Sequence, residues 1–379
     1  MKKLWKIGSY ILVAALASLI TFGIMEFNKP KLERLESLIT EKFIGDVDKT
    51  AMEDAAAAAM IASLGDRWSY YIPASDYDSY REQMENAYVG IGVTIQASED
   101  GNGLLIIKME KNGPAVEAGL QIGDVIVAVE GMRIAGKDAT EAREHIRGEE
   151  GTKVKLTVLR EGQEQDITVE RRKVKVAVAT AQMLEGNIGL VTIANFDARC
   201  ASETIAAIEE LLDQGAKSLI LDVRFNPGGY VDELVEVLDY LLPEGELFRS
   251  VDYAGKEEVE KSDAKCLKMP MAVLVNANSF SAAEFFAAAL REYDAAIVVG
   301  EQTVGKGYFQ STFKLGDGSA VGLSIGKYFT PKGISLEGVG ITPDVQIDVD
   351  QLTAAKISAG TIDPMEDPQL QAAVDALKD

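Results

Sequence analysis

The stretch MAVLVNANSFSAAEFFAAAL, residues 271–290, sets the reading of the whole chain. Met271 to Val275 are apolar without alternation, the pattern of a strand buried on both faces. FFAAAL, at the other end, is helix-like. Ser279 and Ser281 stand at the join, where a side chain is displayed at the end of a sheet. Ser281 followed three residues later by Glu284 forms a capping box, which satisfies the free N–H groups that open a helix. The same position would also present a hydroxyl for nucleophilic chemistry, so the surrounding chain has to decide between the two.

Outward from this stretch the pattern alternates. NIGLVTIANF, SLILDVRF, MAVLVNA and AAIVVG read as strands, and SETIAAIEELLDQG, VDELVEVLDYLL and AAEFFAAALREY read as the helices between them. Strands alternating with helices imply a mainly parallel sheet, with ligands at the carboxyl ends of its strands. Upstream, YVGIGVTI, GLLIIKM, DVIVAVEGM, VKLTVLREG and QDITVERR predict a compact β-rich unit, with one helix near Asp138 to Ile146. Residues 28–83 look helical; they hold the run Ala55 to Ala59 and the stop Leu64-Gly65-Asp66.

The composition excludes several classes. Lys and Arg number 38 against 60 Asp and Glu, a formal net charge of −22 that would repel a nucleic-acid backbone. Cys200 and Cys266 are too few for a disulfide framework and lack metal-ligand spacing, so they read as core residues. His145 is the single histidine and lies in an amphipathic stretch, which makes a His-based zinc site implausible and a histidine base for Ser281 improbable. No metal and no cofactor are expected.

The chain opens MKKLWK, followed by Ile7 to Met25 without a charge, long enough at roughly 28 Å to cross a bilayer core. Lysines ahead of an apolar run point to targeting, so residues 1–27 read as a signal anchor or signal peptide. Cleavage at Ala15-Leu16-Ala17 would leave a strongly apolar terminus, which favours an uncleaved anchor. The positive-inside argument then sets the body outside the cytoplasm, although Lys29, Lys31 and Arg34 follow the segment too.

Three connections after strands carry the candidate chemistry. In Asp222-Val223-Arg224-Phe225-Asn226-Pro227-Gly228-Gly229, the paired glycines expose backbone N–H groups, as an oxyanion hole requires and as a plain tight turn also does. The second connection is Ser279 to Glu284. In the third, Gly300 to Gly307, glycines flank Lys306. A serine hydroxyl is a weak nucleophile until a base stands beside it. With histidine set aside, a lysine held neutral by burial can serve. The positive end of a helix at Ser281 favours the negative charge that develops there, and Gln310 could orient the lysine, provided the chain bends after Gly307.

These motifs resemble those of the C-terminal processing (tail-specific) peptidases over residues 62–375. DVRFNPGG resembles that family's D-L-R-x-N-P-G-G, SFSAAE its S-A-S-A-S-E, and GEQTVGKG its G-E-x-T-x-G-K-G; LGDRWSYYIP and GVGITPD are similar landmarks. The resemblance implies a ClpP/crotonase-like α/β core with Ser281 as nucleophile, Lys306 as base and Gln310 in support. It also implies oxyanion donors at Gly228 or Gly229 and at Ala282. Ala283 departs from the family, which often has a serine there. The β-rich unit resembles a PDZ domain, with Val89, Gly90, Ile91, Gly92 and Val93 as a loop whose amides hold a terminal carboxylate.

The expected organisation is an anchor at 1–27, a helical region at 28–83, an inserted PDZ domain at 84–173, and a Ser-Lys protease core with a C-terminal region at 174–379. The function it implies is a membrane-anchored, extracytoplasmic serine endopeptidase acting on proteins or peptides with accessible C-termini; similar proteins suggest a homodimer. The alternative is a catalytically silent PDZ-containing scaffold.

Overall fold

The computed structural model describes residues 30–98, 100–134 and 139–378. The anchor expected at residues 1–27 lies outside them. Among the described residues no helix is long and apolar enough to cross a membrane. The chain divides between Tyr71 and Ile72 into two compact units.

The helical reading of 28–83 holds only in part: Lys31–Lys42 and Lys49–Ala62, in the first unit, and Tyr77–Met84 are helices, but Tyr70–Ile72 is a strand. Asp48 caps Lys49–Ala62 by accepting the Ala51 N–H at 3.0 Å, and Gly65, at φ +68°, turns the chain after it.

The second unit is built on a six-stranded sheet in the order Ala179–Leu184, Ile188–Ile193, Ser218–Asp222, Met271–Val275, Ala296–Gly300, Val345–Gln346. The first pair is antiparallel and every later pair parallel. The unbroken apolar runs follow from burial on both faces. Leu219, Leu221, Val273 and Val275 pack with Ile208, Leu234, Leu238 and Phe286 of the helices Cys200–Asp213, Val231–Leu241 and Ala282–Glu292. On the other face Ile220, Ala272 and Leu274 meet Leu370 and Ala373 of the helix Pro368–Ala376.

A second, antiparallel sheet is absent from the sequence reading. Tyr308–Lys314 pairs with Ala320–Phe329, which pairs with Gly245–Asp252, and that strand with Glu257–Ser262.

The β-rich unit has its own core around Ile106, Ile126, Leu156 and Val158. Its sheet runs Val93–Ala97, Leu104–Met109, Val125–Val129, Lys153–Arg160, Gln163–Glu170. The expected strand YVGIGVTI is two strands. Ala87–Gly90 pairs with Arg172–Lys175, so the unit's entry and exit lie side by side, and Gly92 at φ +79° breaks the chain before Val93 begins the sheet.

Candidate functional site

The carboxyl ends of Ser218–Asp222, Met271–Val275 and Ala296–Gly300 bring the three connections together. Val223 N–H donates to the Leu274 carbonyl at 3.0 Å, and Glu301 N–H to the Val275 carbonyl at 3.1 Å. Close packing here demands glycine: a Cβ on Gly300 would stand 1.9 Å from the Val275 oxygen.

Ser279 is fully buried. Its Oγ donates to the Val223 carbonyl at 2.7 Å and accepts the Asn276 N–H at 3.0 Å, which fastens the glycine-rich loop to the serine turn. Ser281 is part-exposed and occupies φ 58°, ψ −124° as the N-cap of Ala282–Glu292. A non-glycine residue there stores on the order of 1–3 kcal/mol of strain, a pattern that clusters at functional sites. A Cβ on Gly228 would lie 2.8 Å from Ser281 Cβ and 2.9 Å from Ala282 N, so only a glycine backbone approaches the serine this closely. Gly228 N–H donates to Asn226 Oδ1 at 2.8 Å. Gly229, at φ +152°, crosses so near Phe196 that a Cβ would meet that residue's carbonyl carbon at 2.2 Å.

Glu284 unites the site. The sequence identifies it only as half of a capping box, and Ser281 N–H does donate to its Oε2 at 3.0 Å. The same fully buried carboxylate also accepts Lys306 N–H at 2.8 Å on Oε2, and Gly305 N–H at 2.7 Å with the Thr303 hydroxyl on Oε1. One side chain thus ties the serine turn to the lysine loop. Segment 336–341 braces that loop from outside: Thr303 N–H donates to the Ile341 carbonyl at 3.1 Å, and Ile341 N–H to Thr303 Oγ1 at 2.7 Å. Lys306 Nζ lies 5.8 Å from the centroid of the Phe280 ring, next in sequence to Ser281.

Gln310 sits in Tyr308–Lys314 beside a register shift between Phe309 and Gln310. Its Nε2 donates to the Tyr308 carbonyl at 3.1 Å and to Ser324 Oγ at 3.0 Å. The sequence reading also missed the anchor behind the glycine-rich loop. Arg224, buried, grips Asp222 and reaches Asp367, which caps the C-terminal helix, and Gln369 within it. Burial opposes its charge, and the two aspartates outweigh burial, holding the guanidinium above its ordinary value.

Behind Gly229, the Asp197 carboxyl is 3% exposed and its Oδ1 has no hydrogen-bond partner among the described residues. Burial, then the neighbouring Glu233, push it up to about 7. Burial likewise raises the Cys200 thiol to about 12, as expected of a core cysteine.

In the β-rich unit a cavity of about 260 Å³ is lined by Tyr88, Gly90 to Ile95 and, across from them, Arg143, Ile146 and Arg147 of the helix Ala139–Ile146 and its end. The Ile91 and Gly92 carbonyls accept Ala115 N–H at 2.9 Å and Glu110 N–H at 3.0 Å. Tyr88 covers Gly90, and its hydroxyl is raised by burial and by Glu110, against the pull of Arg147 and the Gly92 amide.

A strained serine at a helix start beyond a mainly parallel sheet, beside a β-rich unit with its own core and cavity, is an arrangement compatible with a hydrolase. Comparison narrows it. The model "Peptidase family S41" matches residues 187–347 and that of the PDZ domain residues 89–170. A "Probable CtpA-like serine protease" of Staphylococcus aureus (strain COL) is 32% identical over 88% of this chain and 68% of its own length. Its counterpart in Staphylococcus saprophyticus is 33% identical over 84% of this chain and 65% of its own. The chain therefore belongs to the C-terminal processing serine proteases of peptidase family S41, and it spans about two thirds of the length of these curated relatives. A solved "Putative S41 protease" from Bacteroides fragilis has the same fold, with a TM-score of 0.57 at 17% identity, over 90% of this chain and 96% of that one.

Proposed function

We propose that the protein is a serine endopeptidase that captures protein C-termini in the groove of its PDZ unit and cleaves by acyl transfer at Ser281. The observation that carries this reading is Glu284, whose four bonds hold the strained Ser281 turn and the Lys306 loop in one buried network. Ser281 Oγ attacks the scissile carbonyl carbon and its proton passes to neutral Lys306 Nζ. The oxyanion is met by the Ala282 amide at the helix start. Because Asn226 already holds the Gly228 N–H, Gly229 is the better second donor and Gly228 supplies close approach. Collapse expels the amine, which takes the proton from Lys306. Water then gives a proton to Lys306 while its hydroxide adds to the ester carbon. Collapse breaks the bond to Ser281 Oγ, which takes the proton back from Lys306, and the new acid leaves as its carboxylate after losing its proton to solvent. Gln310 supports Lys306 through its side-chain oxygen, since its nitrogen is engaged by Tyr308 and Ser324.

The reading extends to an anchor at Ile7–Met25 with the body outside the cytoplasm, and to a homodimer, for which the exposed Leu32, Leu35 and Leu38 offer an apolar surface. Membrane fractionation with and without residues 1–27 tests the anchor.

The chemistry is tested with an unstructured protein substrate. Ser281→Ala and Lys306→Ala are each expected to abolish cleavage with the fold intact, because nucleophile and base act as one unit. Ser279→Ala is expected to keep turnover while losing about 1–2 kcal/mol of stability, since it orphans buried Val223 and Asn276 groups. A serine-reactive fluorophosphonate should label the parent and not Ser281→Ala. An unlabelled, inactive parent would favour the silent scaffold.

A further inference from the structure

The PDZ cavity holds two cations that its fold does not require. Arg133, Arg160 and Arg172 of the same region each grip a carboxylate, on Glu164, Asp124 and Glu117. Arg143 and Arg147 are exposed, line the cavity, and pair with no carboxylate among the described residues. In a chain of net charge −22 such a pair is out of keeping with its surroundings.

Their spacing matches an extended peptide. The strand Val93–Ala97 lies at the end of its sheet, its outer edge unpaired among the described residues, so a tail can add to it as a further strand. The chain end belongs at Gly92, where the left-handed turn gathers amides, and Arg147 stands at this end with its guanidinium carbon 5.8 Å from the centroid of the Tyr88 ring. Arg147 N–H donates to the Arg143 carbonyl at 2.9 Å, so the two arginines are one helical turn apart, about 6 Å along the axis. A strand advances about 3.4 Å per residue and alternates its faces, so about two residues of tail cover that distance and return to the same side. Ile91, Val93, Ile95 and Ile146 supply the apolar floor for the last side chain.

Resting on the reading that this groove takes C-termini, we propose that Arg143 selects tails with an Asp or Glu two residues before an apolar terminal residue, while Arg147 seats the terminal carboxylate. The substrate class is then acidic-tailed protein, recognised against the general repulsion of an acidic enzyme.

Fluorescence anisotropy on the full chain carrying Ser281→Ala tests this with labelled seven-residue peptides ending in Val. Asp at the antepenultimate position is expected to bind about five- to tenfold more tightly than Lys there, the difference shrinking as salt is raised. Arg143→Ala should bring the Asp and Lys peptides to within twofold of each other, and Arg143→Glu should reverse the preference. An amidated C-terminus should abolish binding of every peptide. If the Asp and Lys peptides bind equally and still need a free carboxylate, the selection by Arg143 is overturned and the groove reading stands. If peptides with free and amidated ends bind alike, or none binds, the groove reading falls and the selection with it.

Discussion

The serine turn and the PDZ groove both depend on glycine, and they use it in opposite ways. At Gly228 and Gly229 the glycines let backbones press together: an added Cβ would stand 2.8 Å from Ser281 Cβ in one case and 2.2 Å from the Phe196 carbonyl carbon in the other. At Gly92 the nearest atom to an added Cβ is Gly113 Cα at 3.3 Å, and what matters is the left-handed turn that opens a cavity. Around the serine, polar groups are buried and bonded to one another; around the groove, two exposed arginines pair with no carboxylate among the described residues. A site that performs chemistry is fixed before substrate arrives, whereas a site that reads sequence leaves its charges for the ligand to neutralise.

The severest test of this contrast is Glu284→Gln. Both oxygens of Glu284 only accept, Oε1 from Thr303 and Gly305, Oε2 from Ser281 and Lys306. Glutamine keeps the shape but turns one oxygen into an NH₂, so whichever way it lies two donors face another donor. Losing charge-assisted bonds and orphaning buried donors costs about 3–5 kcal/mol at this site. The expected outcome is a fall of at least about a hundredfold in turnover on a short peptide, with tail-peptide binding retained because the PDZ unit has its own core. Turnover near the parent's would show that the network does not hold the reacting groups.

The converse substitution is Gly92→Val. A β-branched residue at φ +79° is strained and blocks the tail's approach to the loop amides. Capture of tail-bearing proteins should weaken at least about tenfold, and hydrolysis of a short unstructured peptide should be unchanged. Equal losses on both substrates would mean that the groove also sets the catalytic geometry.

The two sites were not equally legible in the sequence. The alternating core was readable because SLILD and MAVLV are buried on both sheet faces and so carry unbroken apolar runs. The second sheet escaped because Glu257–Ser262 and Tyr308–Lys314 are half solvated and rich in charged or polar residues, with no clean alternation. Ser281 and Lys306 stood out through local motifs. The wider role of Glu284 did not, since its other three donors lie about twenty residues away and meet it only in the fold. Arg143 and Arg147 were lost within an amphipathic helix, where exposed arginines are ordinary until a cavity gives them a direction.

The smallest effect is expected where the catalytic region departs from its own pattern. Asp197 is buried, with no partner on Oδ1 among the described residues, directly behind the backbone pairing of Phe196 with Gly229. Burial and Glu233 raise it from its ordinary 3.8 to about 7. A carboxyl whose folded value is raised favours folding fully at pH values below its ordinary range and loses that contribution as pH climbs through about 7. The full shift corresponds to at most about 4 kcal/mol, and local relaxation with water entry reduces it. Asp197→Asn removes the ionisation and adds a buried NH₂ that lacks an evident acceptor, at about 1–3 kcal/mol. The variant should therefore be less stable than the parent near pH 4.5, draw level as pH rises, and exceed it by about 1 kcal/mol at pH 8. Melting temperatures of parent and variant across that range measure the difference, and its slope is the signature, because an acceptor lost for structural reasons would lower stability equally at every pH. A difference that stays flat from pH 4.5 to 8 would mean that Asp197 is solvated or bonded in solution, and the serine site would then be as fully satisfied behind its glycines as it is around Glu284.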